Sequence, residues 1–202
     1  MSITAPLTVA EREKWTNQFE SHLADRLQWA ITYVREQRPK PTRLKPYGDS
    51  LIALLHQARA YPQLAQPVVT LILALHPLPE RWGQWTVWDE MLQAGAAIAA
   101  THRWQRQQAE LLAYRAQLLW LCNRCGEASE TARDALPLAQ SLAALLPLGV
   151  AGAALVNALS ALGQVEEART QLSCLLKQTA VLQPTSPSAA YTTAMRSLEH
   201  SQ

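Results

Sequence analysis

Between Leu111 and Leu182 the chain spells one pattern twice, and that doubling restricts what it can fold into more than any other feature. Laying Gly126 on Gly163, a shift of 37 residues, brings Leu118 onto Leu155, Cys122 onto Leu159, Glu130 onto Glu167, Thr131 onto Ala168 and Leu138 onto Leu175. Apolar, small and turn positions fall in step. A period of about 34 to 40 residues, with a Gly between two amphipathic helices, is the mark of stacked antiparallel helical hairpins, each too small to bury its apolar face alone. An all-α solenoid is therefore expected. Setting Gly83 on Gly126 puts Trp85 and Trp88 where Ala128 and Thr131 lie, which suggests a degenerate earlier copy.

Composition agrees. Ala, Leu and Gln abound while there are only 7 Gly and one Phe, which suits helix interiors and leaves few residues that favour strands. A chain of 202 residues, 49% of them hydrophobic, is long enough to bury a sizeable core as one α-helical repeat domain. Its net charge of +2 is too small to argue for wholesale nucleic-acid or membrane binding. Ala135 to Val165 carries no charge, but Pro147 and Gly149 are expected to cut it into halves too short to span ~30 Å of hydrocarbon. No membrane insertion is expected. The three cysteines and the polar start, without a secretory leader, point to the cytoplasm.

In chain order, residues 1–46 read as a long helix from about Leu7 to Gln37 followed by a basic, proline-containing linker. Trp15, Phe19, His22, Leu23, Arg26, Trp29, Ala30 and Val34 recur at three- and four-residue steps and predict one packing stripe. Arg38-Pro39-Lys40-Pro41 stops the helix. Five basic residues and one acid lie between Arg35 and Lys45; with no aromatic interleaved, this stretch reads as a solvated linker rather than a phosphate contact. Residues 47–110 read as degenerate hairpins, with core faces at Leu51, Leu54, Leu55 and Ala58, then Trp85, Trp88, Leu92, Ala96 and Ala99. Trp85 and Trp88 are expected inside and Trp82 at the surface. Residues 111–183 hold the two clear hairpins. In 184–202 a Pro-Ser linker leads to a short capping helix, whose Tyr191, Met195 and Leu198 are expected to cover Leu172, Leu175 and Leu176.

No constellation for catalysis stands out, and no cofactor or metal is expected. Cys122 and Cys125 have a zinc-ligand spacing, but the repeat alignment places them in the slots of Leu159 and Leu162, so they read as small core residues. Glu166 and Glu167 are adjacent, which on a helix points them about 100° apart and suits the dipole of a first turn rather than a carboxylate pair.

Leu155, Val156, Leu159, Gly163, Val165, Glu166, Glu167, Ala168 and Leu172 resemble a tetratricopeptide repeat, with Leu118, Leu119, Cys122, Gly126, Glu130, Thr131 and Ala135 similar to a second copy. Val156 and Leu119 stand where the family has Gly or Ala, and the period exceeds the usual 34 or so. More loosely, Trp15 to Ala30 and the Gly83-Gln84-Trp85 helix look like the helical arm that follows the nucleotide-binding module in NB-ARC-type bacterial signal-transduction ATPases.

The repeat resemblance implies a right-handed superhelix whose first helices line a concave groove for an extended peptide or partner helix. It implies a backbone-gripping Asn at Asn157, with Trp120 as the counterpart one repeat earlier and Gln117, Asn123, Arg124 and Ser160 on the same side. The expected function is thus a non-catalytic protein-interaction scaffold with a protein or peptide partner. The alternative is a regulatory, nucleic-acid-associated module serving a separate ATPase, resting on the Arg35 to Lys45 linker and on Arg103 and Arg106; nucleic acid is not the expected partner.

Overall fold

The computed structural model describes residues 8–182; the predicted capping helix lies outside them. Among the described residues every regular element is helical. The chain divides into two compact units at the Leu78–Pro79 bond.

In the first unit, α1 (Val9–Gln37) packs against α2 (Gly48–Ala58) and α3 (Ala65–Leu75), which also touch each other. A capping box opens α1: the Thr8 hydroxyl accepts from the Glu11 amide, and Glu11 accepts from the Thr8 amide at 2.9 Å. Hydrogen bonds from the Thr8 amide and from its hydroxyl hold the Glu11 carboxyl below its ordinary pKa. The buried stripe of α1 is Leu23, Leu27, Ala30, Ile31 and Val34. This corrects the expected stripe, because Trp15, Phe19 and Trp29 are exposed by 61%, 48% and 57%. The helix carries two apolar stripes side by side, one aliphatic and one aromatic, and only the aliphatic one faces α2 and α3. Helix α2 buries Leu51, Leu54, Leu55 and Ala58 as its spacing predicts, and α3 is buried on most of its circumference. The basic linker is built, not loose. It forms two 3₁₀ turns, Pro41–Arg43 and Lys45–Tyr47, hinged on a fully buried Leu44.

After the short α4 (Leu78–Arg81), the second unit runs through α5 (Trp85–Thr101), α6 (Gln105–Leu121), α7 (Cys125–Ser141), α8 (Leu145–Ala161) and α9 (Val165–Leu182). Helices α5 to α8 are each 17 residues long, and three-residue turns join successive helices. Left-handed backbone recurs in the turns every 20 residues, at Gly83, Arg103, Asn123, Ala143 and Gly163. The later four turns share one hydrogen-bond set. In the turn at Asn123, for example, the Cys122, Asn123 and Arg124 amides donate to the Leu118, Trp120 and Leu119 carbonyls. These bonds satisfy the last carbonyls of α5 to α8 from the backbone of the turn that follows.

The turn geometry overturns the 37-residue register. Gly163 is a left-handed turn residue, whereas Gly126 lies inside the first turn of α7, so the true counterpart of Gly163 is Asn123, 40 residues earlier, and then Gly83. In this register Trp88, Ala128 and Ala168 are equivalent, and all three are buried. The uncharged stretch is likewise divided at Leu142–Ala144 rather than at Pro147 and Gly149, which sit within the first turns of α8. Among the described residues no helix is long and apolar enough to cross a membrane.

Packing follows the register. Each of α5 to α8 lies against the next helix, and α6 also lies against α8. Ala116 of α6, Ala132 of α7, Leu155 and Leu159 of α8 and Ala168 of α9 form one buried cluster, with Leu136 and Leu172 closing over it. Arg133 of α7 reaches Glu167 of α9 at 2.7 Å, and Gln140 reaches Gln178 at 3.2 Å. Trp88 is fully buried as expected, with its indole N–H lacking a hydrogen-bond partner among the described residues. Trp85, expected inside, is 37% exposed at the first position of α5, and Trp82 is half-buried. The cysteines split in the same way. Cys125 is buried, but Cys122 is exposed because it follows the end of α6, in the position that Leu162 holds after α8.

Candidate functional site

The 40-residue register sorts the expected groove residues into two kinds. Gln117 on α6 and Asn157 on α8 are equivalent and both half-buried; Trp120 and Ser160 are likewise equivalent, the first half-buried and the second exposed. In the 40-residue turn spacing the position matching Asn157 is Gln117, not Trp120, which corrects the pairing drawn from the 37-residue shift. The helices that carry the two amides, α6 and α8, pack against each other. Each amide offers a donor and an acceptor, the pair of groups that an extended backbone presents.

The remaining expected residues have structural roles. The Trp120 ring packs against the cluster of Leu119, Cys125, Ala128 and Ala158. The Ser160 hydroxyl donates to the Val156 carbonyl at 2.9 Å. Asn123 has φ of 59°, a left-handed conformation that Asn tolerates better than most residues, and its Oδ1 lies 3.8 Å from the Cys125 sulfur.

Arg124 is the most heavily engaged. Its Nε and Nη2 donate to the two Glu127 oxygens at 2.8 and 2.6 Å, while its Nη1 donates to Asp89 Oδ2 at 2.6 Å. Arg115 Nε donates to the other Asp89 oxygen at 2.7 Å. Asp89, a buried carboxylate on α5, therefore joins α6 to the turn before α7. The Glu127 and Asp89 hydrogen bonds hold the Arg124 guanidinium above its ordinary pKa, and the Arg124 hydrogen bond holds Glu127 below its own. Arg124 is a staple, not a free hand for a ligand. Asp89 and Arg115 were missed by sequence reasoning, since they stand 26 residues apart with no local motif between them.

A groove of about 560 Å³ opens between α5, α6 and α7, floored by Ala96, Ala97, Ala100 and Leu112 and rimmed by Arg133 and Asp134. None of the expected groove residues lines it. Its signal in the sequence is the run of small residues on α5, which leaves room where larger side chains would fill the space.

The Cys122 thiol is held above its ordinary pKa, chiefly by desolvation and further by the charges of Asp89 and Glu80, against the opposing pull of Arg124. That is the reverse of what an activated thiolate needs. No family model, curated protein or solved structure gives a match to this chain.

Proposed function

We propose that the second unit is a tetratricopeptide-like scaffold, a right-handed solenoid of antiparallel hairpins that holds an extended peptide along the α6–α8 face without catalysis. The observation that carries this reading is the equivalence of Gln117 and Asn157 on two packed helices one repeat apart. Each amide can pair with a peptide group of an extended chain, and main-chain hydrogen bonds then supply affinity. The 40-residue register also improves the resemblance. Glu127-Ala128 falls on Glu167-Ala168, so the acidic-Ala start of the second helix occurs twice at the same distance from a left-handed turn. The longer helices lengthen the unit beyond about 34 residues and would open the superhelical pitch.

The test is selection of peptides from a displayed random library on the purified chain, followed by calorimetric titration. Gln117→Ala with Asn157→Ala should weaken the selected peptides at least tenfold without lowering the melting temperature by more than a few degrees. Peptides that bind the double variant as tightly as the parent would sink the reading.

A further inference from the structure

The first unit carries an aromatic and basic surface that its linear sequence conceals. Trp29 and Tyr33, one helical step apart on α1, stack at 5.0 Å with their rings 8° from parallel. Tyr47, at the end of the second 3₁₀ turn, meets Tyr33 edge-on at 5.4 Å. Buried Leu44 anchors the linker and thereby sets where Tyr47 lies. Trp29 is 57% exposed and Tyr47 46% exposed, so both keep ring surface in water. The basic residues from the last turn of α1 through the linker, Arg35, Arg38, Lys40, Arg43 and Lys45, are all exposed, with Glu36 the one acid among them. Arg43 lies close enough to Tyr33 to counter the burial and the neighbouring Tyr47 that raise its hydroxyl pKa. Read linearly, the linker has no aromatics within it; folding supplies them from the preceding helix and from Tyr47.

We propose that this surface binds single-stranded nucleic acid, with bases stacking on Trp29 and Tyr47 and the phosphates running along Arg38, Lys40, Arg43 and Lys45. Flat π-faces beside a row of cations match a strand that alternates bases with charged phosphates. An acidic peptide would satisfy the cations but leave the rings without planar partners. Duplex recognition would call for a helix face of Arg and Lys to enter a groove, whereas Arg43 and Lys45 stand on 3₁₀ turns, Arg38 caps the end of α1 and Lys40 precedes the first turn.

The probes are fluorescent oligothymidylate and oligouridylate of about twelve nucleotides, followed by anisotropy on the full chain from about 50 to 200 mM salt. Neutralising three to five phosphates gives a slope of log K against log salt between about −2 and −3.5. Trp29→Ala with Tyr47→Ala should lower affinity about tenfold or more and leave that slope unchanged. Arg43→Glu with Lys45→Glu should flatten the slope, and Trp15→Ala, exposed on the same helix but outside the patch, should change neither. Circular dichroism confirms that each variant is folded. Binding of either oligonucleotide with this pattern supports the site. Affinity indifferent to Trp29 and Tyr47 would overturn the proposal, as would sedimentation with phosphatidylserine vesicles in the absence of oligonucleotide binding.

Discussion

Replacing Asp89 by Ala tests how the second unit is held together. The carboxylate is 12% exposed at the side chain and serves two arginines that differ sharply in setting: Arg115 is 17% exposed, Arg124 41%. On the Arg115 side the variant strands a guanidinium in a desolvated site. A hydrogen bond to a charged group contributes about 1.5–3 kcal/mol, and stranding the buried partner brings the loss to about 3 kcal/mol. On the Arg124 side the loss is small, because that guanidinium is solvated and keeps its two-pronged contact with Glu127; an exposed pair contributes about 0.2–1 kcal/mol. The total is about 3–4 kcal/mol. In urea, with a denaturant slope near 2 kcal/mol per molar, the midpoint should fall by about 1.5–2 M. Double-mutant cycles separate the two arms: coupling of Asp89 with Arg115 should be about 2–3 kcal/mol, and with Arg124 no more than about 1. Equal couplings, or a midpoint shift below about 0.3 M for Asp89→Ala, would refute the assignment of Arg115 as the buried partner.

Other outcomes follow from the same contacts. Ala143→Gly should stabilise by about 0.5–1 kcal/mol, because the left-handed turn position burdens a Cβ; Gly163→Ala should cost about 1, and paired thermal melts decide both signs. Trp88→Ala should cost about 3–5 kcal/mol through the cavity it leaves. Trp88→Phe, which keeps a ring and removes the unpartnered N–H, should cost less than half as much, and equal costs would refute the cavity as the cause. Burial, with some help from Arg38, depresses the His76 pKa to about 3, so the unfolded chain binds the extra proton below its pKa of about 6.5. Stability should therefore fall as pH drops from 6.5, by about 2 kcal/mol at pH 5, and His76→Phe should flatten that limb of an acid titration. Burial raises Glu80 to about 7, so its neutral form favours folding below 4.5 and that contribution is lost as pH rises through 7; Glu80→Gln should remove the loss.

Helical periodicity in the sequence located α2 and α5 and named most of their buried faces, from Leu51 and Leu55 to Trp88, Leu92 and Ala99. Its failure at α1 has a physical cause: the aliphatic and aromatic stripes are neighbours at nearly the same period, and a one-dimensional count merges them. The repeat register failed for a different reason. Gly marks such a turn in a sequence, yet the left-handed position falls on Arg103, Asn123 and Ala143, where backbone hydrogen bonds hold it without Gly. The amide pair of Gln117 and Asn157 became visible only once that register was known. The Asp89 network joins residues 26 and 35 positions apart, a pairing set by helix packing, to which no local pattern points.

The even spacing of the turns also gives this chain a mutational grain. Substitutions change one packing contact at a time, but deleting a single residue within α6 or α7 rotates everything beyond it by about 100° relative to its neighbours and shears each later interface at once. Duplicating the 40 residues between Asn123 and Gly163 reproduces both turn and helix lengths, so it adds a copy without disturbing phase. Such a chain can lengthen or shorten by whole modules far more readily than by one residue.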